Sequence, residues 1–208
     1  MAYILGYFAS DGCMYRNKRG SCYVSFTSTD IELIELVKQL MNVSNRVESY
    51  KSLKKTWETR HVLQIGSKKL YERLLRIGFT SNKSLTLIFP DVPNEMLAHF
   101  LRGYFDGDGS VSFASYKRKN RNSFQKVFTL RLRCGSKNFI EILRKKLISA
   151  TGVGNGHLYF HSRAYELVYS IKDVVKLYRF MYPLNNLPCL ERKKDKLMQG
   201  IISYGIEV

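Results

Sequence analysis

The sequence predicts an α+β protein built from two pseudo-symmetric repeats, each with the element order αββαββα and an antiparallel sheet. Two observations support this prediction. A short motif occurs at 4–12 and again at 101–109, so the copies lie 97 residues apart in a chain of 208. Helix-like and strand-like patterns then follow each copy in the same order. A motif repeated at half the chain length indicates a duplicated structural unit.

The two copies of the motif share the pattern Gly-Tyr-Phe-x-x-Asp-Gly. The first reads Ile4-Leu-Gly-Tyr-Phe-Ala-Ser-Asp-Gly12 and the second Leu101-Arg-Gly-Tyr-Phe-Asp-Gly-Asp-Gly109. A helix that is apolar nearly all round is a buried helix. Glycine inside a helix costs roughly 1 kcal/mol relative to alanine, so the repeated Gly6 and Gly103 indicate close backbone contact between two helices. The glycine after each aspartate is expected to end its helix in a left-handed conformation.

The rest of the first repeat alternates between strand and helix patterns. A polar, basic stretch at 15–20 is typical of a hairpin loop, and residues 21–28 alternate as a half-buried strand does. Thr29 and Asp30 are suited to begin an amphipathic helix. The other predicted elements of this repeat are strands at 47–50 and 59–65 and a helix that Ser67 caps and Gly78 ends.

A proline-containing segment divides the chain. Phe89-Pro-Asp-Val-Pro-Asn94 holds two of the four prolines and is the expected linker. We therefore expect a first repeat at 1–89, a linker at 90–95 and a second repeat at 96–208. The elements expected in the second repeat are a helix at 96–108, strands at 110–116 and 127–134, a helix from Ser136, strands at 156–160 and 165–171, a helix at 173–181 and a final short helix.

The charge of the chain indicates a polyanionic partner. There are 34 basic and 17 acidic residues, for a formal net charge of +17 and a pI near 9.8. Such a balance is most often associated with nucleic acid, although an anionic membrane surface or a ribosomal role would also fit. Hydrophobic residues make up 45% of the chain, which excludes a disordered protein and allows a substantial core.

Other sequence features bear on the compartment. No apolar run approaches the roughly 20 residues of a membrane-spanning helix, and no secretory signal is evident at the N-terminus. The four cysteines are scattered without a CxxC pair, so we expect neither a zinc site nor disulfides. The expected location is intracellular with access to DNA, in the cytoplasm, the nucleoid or an organelle.

The aspartate that closes each motif is the strongest candidate for chemistry. Asp11 and Asp108 each end a predicted helix, where the helix dipole disfavours negative charge. If the two helices pack side by side, the carboxylates also approach each other, which favours protonation or a bound cation. An Asp-Gly pair is by itself ordinary turn chemistry. Two copies in the same apolar context instead favour a divalent metal site.

The paired motifs resemble those of the LAGLIDADG homing endonucleases, in the form that carries both copies on one chain. The resemblance implies that Asp11 and Asp108 bind the catalytic metal, together with backbone near Ser10 and Gly107. It implies Mg²⁺, with Mn²⁺ or Ca²⁺ able to occupy the same site. The earlier acid of the family motif corresponds to Ala9 in one copy and Asp106 in the other. Since Ala9 is not acidic, we do not assign Asp106 as a ligand.

The resemblance also implies a lysine near the reacting phosphate in each repeat, after the last helix. The best matches are Lys83 and Lys193, with Lys194 a close competitor, and all three are also consistent with ordinary surface bases. A glutamine common in the family at the end of the second strand is missing here. Ser28 and Cys134 stand nearest to its two positions.

The strand-like run Val127-Phe-Thr-Leu-Arg-Leu-Arg133 favours DNA as the partner. Its apolar residues alternate with Thr129, Arg131 and Arg133, so one sheet face is core and the other is suited to phosphates or base edges. The histidines His157 and His161 share a strand face and are interpreted as DNA-facing or incidental. The residues expected to contact DNA are Arg16, Lys18, Arg19, Tyr23, Ser25, Thr27, Lys117, Arg118, Lys119, Arg121, Thr129, Arg131, Arg133 and Arg192.

These observations predict a monomeric, metal-dependent endonuclease that cuts both strands of a long, asymmetric double-stranded DNA site. By family analogy it would leave short 3′ overhangs. Two alternatives stay open: a maturase that binds intron RNA on the same scaffold, and a DNA-binding regulator without catalysis. The presence of both aspartates disfavours the regulator but not the maturase.

Overall fold

The structure is a computed structural model that describes residues 1–51, 58–81, 83–117 and 122–207. The first repeat contains one antiparallel sheet with the strand order β1-β2-β4-β3. Its elements are α1 (Ala2–Asp11), β1 (Gly12–Arg16), β2 (Cys22–Ser28), α2 (Ile31–Met41), β3 (Val47–Tyr50), β4 (Arg60–Gly66), α3 (Lys68–Arg76) and a short α4 (Lys83–Thr86).

The second repeat has the same topology, with the strand order β5-β6-β8-β7. A 3₁₀ turn at Asn94–Met96 precedes it. Its elements are α5 (Leu97–Asp108), β5 (Gly109–Lys117), β6 (Phe124–Cys134), α6 (Lys137–Thr151), β7 (His157–His161), β8 (Ala164–Ser170), α7 (Ile171–Met181) and α8 (Glu191–Ile202). The predicted α+β fold with two αββαββα repeats is confirmed. The division at 90–95 stays a prediction.

The two motif helices, α1 and α5, pack against each other through their glycines. A Cβ added to Gly6 would lie 2.0 Å from the Phe100 carbonyl oxygen, and one added to Gly103 would lie 2.0 Å from the Tyr3 carbonyl oxygen. Real Cβ atoms do not approach so closely, so each position requires glycine. The predicted close backbone contact between the helices is therefore confirmed.

The glycines that follow the motif aspartates do not have the predicted conformation. Gly12 has φ −81° and ψ 148°, and Gly109 has φ −81° and ψ 146°, so both are extended rather than left-handed. A Cβ at Gly12 would lie 2.0 Å from the Phe8 ring, and one at Gly109 would lie 2.2 Å from the Phe105 ring. Glycine is needed here because a buried aromatic ring fills the space, and the chain passes directly from helix to strand.

Side-chain caps explain where several helices begin. The Ser67 hydroxyl accepts a hydrogen bond from the Leu70 N–H at 3.2 Å, and the Ser136 hydroxyl accepts one from the Phe139 N–H at 3.3 Å. Both caps agree with the sequence prediction. Asp30 also stands at a helix N-cap, but its side chain makes no capping bond.

The two long hairpins differ in length. β1 and β2 pair from Gly12 with Phe26 to Arg16 with Cys22, whereas β5 and β6 extend from Gly109 with Leu132 to Lys117 with Phe124. The second sheet therefore presents a longer outer surface than the first. None of the helices in the described parts of the chain is long and apolar enough to cross a membrane.

Candidate active site and nucleic-acid interface

The motif aspartates lie at the adjoining carboxyl ends of α1 and α5. Asp11 and Asp108 are the last residues of these helices. A Cβ added to Gly107, next to Asp108, would lie 2.7 Å from the Asp11 Oδ2 atom, so the two helix ends are in contact. Both aspartates are exposed toward solvent. The packing of α1 against α5 thus brings together two acids that are distant in sequence.

The surroundings of these carboxyl groups disfavour two negative charges. Protein packed around much of Asp11 reduces its hydration, and the charge of Asp108 lies close by, so the pKa of Asp11 is raised to about 7. Desolvation raises the pKa of Asp108 in the same direction. Lys83 and Lys193 oppose both shifts. Nearby positive charge therefore favours ionisation of these two carboxyl groups.

One lysine from each repeat reaches the carboxyl end of its motif helix. The Lys83 Nζ donates to the Ala9 carbonyl at 2.9 Å and the Ser10 carbonyl at 3.1 Å, and the side chain is buried. The Lys193 Nζ donates to the carbonyls of Asp106 at 2.7 Å, Gly107 at 2.8 Å and Gly109 at 2.7 Å. These ammonium groups balance the partial negative charge of the helix ends.

Desolvation acts on the lysines in the opposite sense from the aspartates. It lowers the pKa of Lys193 to about 8 and also lowers the pKa of Lys83. The adjacent Lys194 is placed differently, because its Nζ lies 3.3 Å from the Asn185 carbonyl oxygen and 3.4 Å from a Glu191 carboxylate oxygen. The geometry therefore makes Lys193, rather than Lys194, the counterpart of Lys83. A role for either in catalysis stays a prediction.

Asp106, the earlier acid of the second motif, is held by hydrogen bonds within the protein. Asp106 is buried, and its Oδ2 accepts hydrogen bonds from the Tyr3 hydroxyl at 2.7 Å and the Leu190 N–H at 2.8 Å. Burial raises its pKa to about 6. Arg102, one turn earlier, donates from Nε to the Pro188 carbonyl at 2.7 Å. Both side chains hold the segment that leads into α8 and so position Lys193.

The donor set of oxygen atoms is suited to a hard divalent cation. It offers two carboxylates with raised pKa values and the backbone carbonyls of Ser10 and Gly107, each of which has a second lone pair beside its lysine bond. Among the described residues, no group of three or more histidine, cysteine or acidic side chains converges to hold a metal. Magnesium commonly takes one or two protein carboxylates and completes its shell with water and substrate phosphates.

An open cavity of about 750 Å³ borders Asp11 and Lys193. Asp30 and Arg192 form an ion pair on its wall that joins the two repeats, with the Arg192 Nε 2.6 Å from the Asp30 Oδ1. The guanidinium lowers the pKa of Asp30 through this bond. Glu58 also lines the cavity. Arg192 is a predicted DNA contact, and its acidic partner is not evident from the sequence because it lies 162 residues away.

The outer face of the second sheet carries the predicted polar residues. Phe128, Leu130 and Leu132 are buried, while Arg131 and Arg133 extend from the opposite face of β6. The alternation predicted for this strand is confirmed. Thr129, on the same face as the arginines, is half-buried, and its hydroxyl has no hydrogen-bond partner among the described residues.

The outer face of the first sheet is mostly neutral. Tyr15 stacks on Tyr23 at a centroid distance of 5.0 Å, and the Gln64 amide donates to the Tyr15 hydroxyl at 2.8 Å. Ser25 and Thr27 are half-buried on the same face. The strand pattern revealed Tyr23, but the contribution of Gln64 depends on the pairing of β2 with β4 and was missed.

The remaining candidate DNA contacts lie at the hairpin ends. Arg16, Lys18, Arg19 and Lys117 are exposed. Three further predicted contacts, Arg118, Lys119 and Arg121, lie outside the described residues. His157 and His161 are exposed on β7 and border a cavity of about 650 Å³ on the outer face of the second sheet.

The chain is similar in sequence to a known protein family and to one curated protein. A family profile described as a LAGLIDADG-like domain matches residues 1–78 and 95–178. A curated protein of Methanocaldococcus jannaschii, a probable translation initiation factor IF-2, is 29% identical over 212 residues, which cover 99% of this chain. The chain spans only 15% of the length of that relative.

Solved structures of meganucleases share the fold. The I-SmaMI LAGLIDADG homing endonuclease bound to cleaved DNA has a TM-score of 0.65 at 14% identity, covering 98% of this chain and 89% of its own. I-AabMI bound to uncleaved DNA has a TM-score of 0.63 at 18% identity, with 98% and 90% covered. I-SmaMI bound to uncleaved DNA in the presence of calcium ions gives 0.64 at 15% identity, with 98% and 91% covered.

Proposed function

The chain belongs to the LAGLIDADG family, and from this membership and the geometry of its cleft we propose that it is a homing endonuclease that cuts double-stranded DNA. One observation carries the proposal. Asp11 and Asp108 come from motifs 97 residues apart and meet at the ends of two helices that pack glycine to backbone. A purely structural interface has no need for a carboxylate at both of these helix ends, where the dipole disfavours it.

The chemistry proposed is hydrolysis of a phosphodiester in each strand. Asp11 and Asp108, with the Ser10 and Gly107 carbonyls, would hold a divalent cation, which we propose to be Mg²⁺. When bound, such a cation lowers the pKa of a water nucleophile and neutralises charge on the reacting phosphate. The negative charges of Asp11 and Asp108 would repel DNA if they were not balanced. The basic groups around them provide that balance.

Lys83 and Lys193 would act beside the reacting phosphates. Each ammonium is held by carbonyls at the end of a motif helix, so it is fixed in place before DNA binds. Positive charge that is already oriented stabilises a developing anion without reorganisation. Because there is one lysine for each repeat, we propose that each serves one strand. Cleavage on both sides of the pseudo-dyad would leave short 3′ overhangs.

The sheets supply the binding surface in this proposal. Their outer faces carry Tyr23, Ser25 and Thr27 in one repeat and Thr129, Arg131 and Arg133 in the other, and the net charge of +17 favours a long polyanion. The two faces differ in length and in side chains, so we expect an asymmetric target. One chain provides both repeats, so a monomer is sufficient.

The translation-factor relative bears on the genetic context. A DNA-cutting module has no evident part in translation initiation, and the matched segment is a small fraction of that protein. We infer that such a segment is an insert in its host protein. This chain would then promote the movement of the DNA that encodes it, from an intein or an intron.

Cleavage of a randomised DNA library tests the proposal. The purified protein is incubated with the library and Mg²⁺, and the cut ends are sequenced. We expect one long asymmetric site with staggered cuts. Binding of a defined site without cutting would favour a regulator, and assisted splicing of intron RNA without DNA cutting would favour a maturase. Either outcome would overturn the endonuclease.

A further inference from the structure

A single acidic side chain lies between two arginines on the outer face of the second sheet. Glu166 of β8 pairs directly with Arg133 of β6, and Arg131 lies one step diagonally along the same face. The Glu166 Oε1 is 3.9 Å from the Arg133 Nε, and its Oε2 is 3.9 Å from the Arg131 Nη1. One carboxylate therefore faces both guanidinium groups.

The acidic member of this cluster is recessed between the two arginines. The Glu166 side chain is 18% exposed, whereas each arginine side chain is 45% exposed. Ion pairs at this exposure contribute only about 0–1 kcal/mol to stability, so stability alone does not account for an acid on a surface suited to DNA. The more direct consequence is that Glu166 restricts where the two guanidinium groups can lie.

The two arginines differ in their other contacts. The Arg133 Nη2 donates to the Ser162 carbonyl at 3.0 Å, and its own carbonyl accepts from the Tyr104 hydroxyl of α5. Arg133 is therefore anchored to the β7–β8 turn and to the motif helix. In the described parts of the chain, the Arg131 side chain makes no hydrogen bond, so its Nε and Nη2 donors are available for an external acceptor.

The space in front of Arg131 suits the edge of a base. It opens into the cavity of about 650 Å³, whose lining includes Thr129, His157, Tyr159 and Ser170. Arginine binds guanine through two parallel hydrogen bonds to O6 and N7 in the major groove, and this contact needs an oriented guanidinium. Among the described residues, an arginine paired with an acid occurs on the outer face of the second sheet and not on that of the first.

We propose that Glu166 determines specificity by orienting Arg131 toward a guanine in the half-site that the second repeat binds. This inference rests on the proposed function, since it assumes a double-stranded DNA target. Glu166 is a positioning residue in this scheme, and Arg131 makes the base contact. The carboxylate also offsets one of the two positive charges, which reduces attraction to phosphates irrespective of sequence.

Selection from a randomised double-stranded DNA library, in the presence of EDTA so that capture reports binding alone, tests the proposal. We compare the wild type with Glu166→Gln, Arg131→Ala and the control Glu141→Gln. The control removes the same charge from α6, where Glu141 pairs with Lys137 at 3.8 Å. We expect Glu166→Gln and Arg131→Ala to lose the same guanine preference, roughly 10-fold to 100-fold, while the control retains it.

Several outcomes would overturn the inference. One is a Glu166→Gln variant that keeps every base preference of the wild type. Another is a loss at a cytosine instead of a guanine, which would mean that Glu166 reads the base itself. A third is an Arg131→Ala variant that lowers the salt dependence of binding by about one charge without losing a base preference, the behaviour of a phosphate contact. If the wild type enriches no site in EDTA, this inference fails, and library cleavage in Mg²⁺ decides the proposed function separately.

Discussion

Gly6 of one motif helix lies directly against the Phe100 carbonyl of the other, with room for hydrogen but not for a methyl group. The relationship is reciprocal, because Gly103 lies in the same way against the Tyr3 carbonyl. Five residues after each glycine comes a motif aspartate. The separation of Asp11 and Asp108 is therefore set by the closest approach that two helix backbones allow.

Replacing Gly6 with alanine should destabilise the protein. The added Cβ would lie 2.0 Å from the Phe100 oxygen, which is backbone and cannot rotate away. Overpacking of this kind typically costs about 1–3 kcal/mol, measured by urea unfolding. Gly66→Ala is the control, since its Cβ would lie 3.7 Å from the nearest atom of Tyr23. Equal midpoints for the two variants would contradict the tight contact.

Asp11→Asn and Asp108→Asn should each abolish cutting and leave DNA binding intact. Replacing a residue that supports a metal ligand typically lowers metal affinity or activity about 10-fold to 100-fold. Loss of a ligand itself should therefore lower the cleavage rate at least about 100-fold. Single-turnover cleavage and a gel-shift assay measure the two properties. Asp91→Asn, an exposed acid in the linker segment, should cut at the normal rate. Normal cleavage by Asp108→Asn would remove it from the active site.

Lys193→Met and Lys194→Met should separate the two adjacent lysines. Lys193 contacts the carbonyls at the end of α5, and Lys194 contacts Asn185 and Glu191 instead. Removal of a preorganised charge next to the reacting group commonly slows catalysis about 100-fold or more. We expect such a loss for Lys193→Met and little change for Lys194→Met, with the cleavage rate as the measurement. The reverse ranking would show that the assignment is wrong.

The stability of the metal-free protein should fall as pH rises from about 4 to about 7. The folded pKa of Asp11 is about 7, above the ordinary value of about 3.9. The folded state thus binds more protons than the unfolded state in this interval, and the favourable contribution is lost as pH passes the folded pKa. Melting temperatures at pH 5 and pH 8 should differ less for Asp11→Asn than for wild type. Parallel pH profiles would contradict the shift.

Arg192→Ala should weaken DNA binding with little effect on folding. Its pair with Asp30 is exposed, so the free energy of unfolding should change by about 1 kcal/mol or less. If Arg192 contacts a phosphate, the slope of log binding affinity against log salt concentration should become shallower by about one. Lys137→Ala, on the helical side of the second sheet, is the control and should leave the salt dependence unchanged. An unchanged salt dependence for Arg192→Ala would exclude the phosphate contact.

Local sequence patterns predicted much of the fold. Contacts between residues that are distant in sequence determined the features that were not predicted. Caps at Ser67 and Ser136 could be read from sequence because their partners lie three residues away. The conformation of Gly12 could not, since a buried ring dictates it. The choice between Lys193 and Lys194 depends on which side of α8 faces the motif. Glu166 was missed because only the register of β6 and β8 brings it between two arginines.

The hydrogen bond from Tyr3 to Asp106 makes the two halves of the molecule complementary instead of equivalent. At the corresponding positions of the other motif stand Phe100 and Ala9. Two copies of the second half would place Asp106 against a phenyl ring that has no hydroxyl, so its Oδ2 would keep the bond from the Leu190 N–H but lose the one from tyrosine. Loss of a hydrogen bond to a charged group costs about 1.5–3 kcal/mol. Two copies of the first half would leave a tyrosine hydroxyl facing a methyl group. The Tyr3–Asp106 hydrogen bond therefore favours the pairing of the two different halves over the pairing of two like halves.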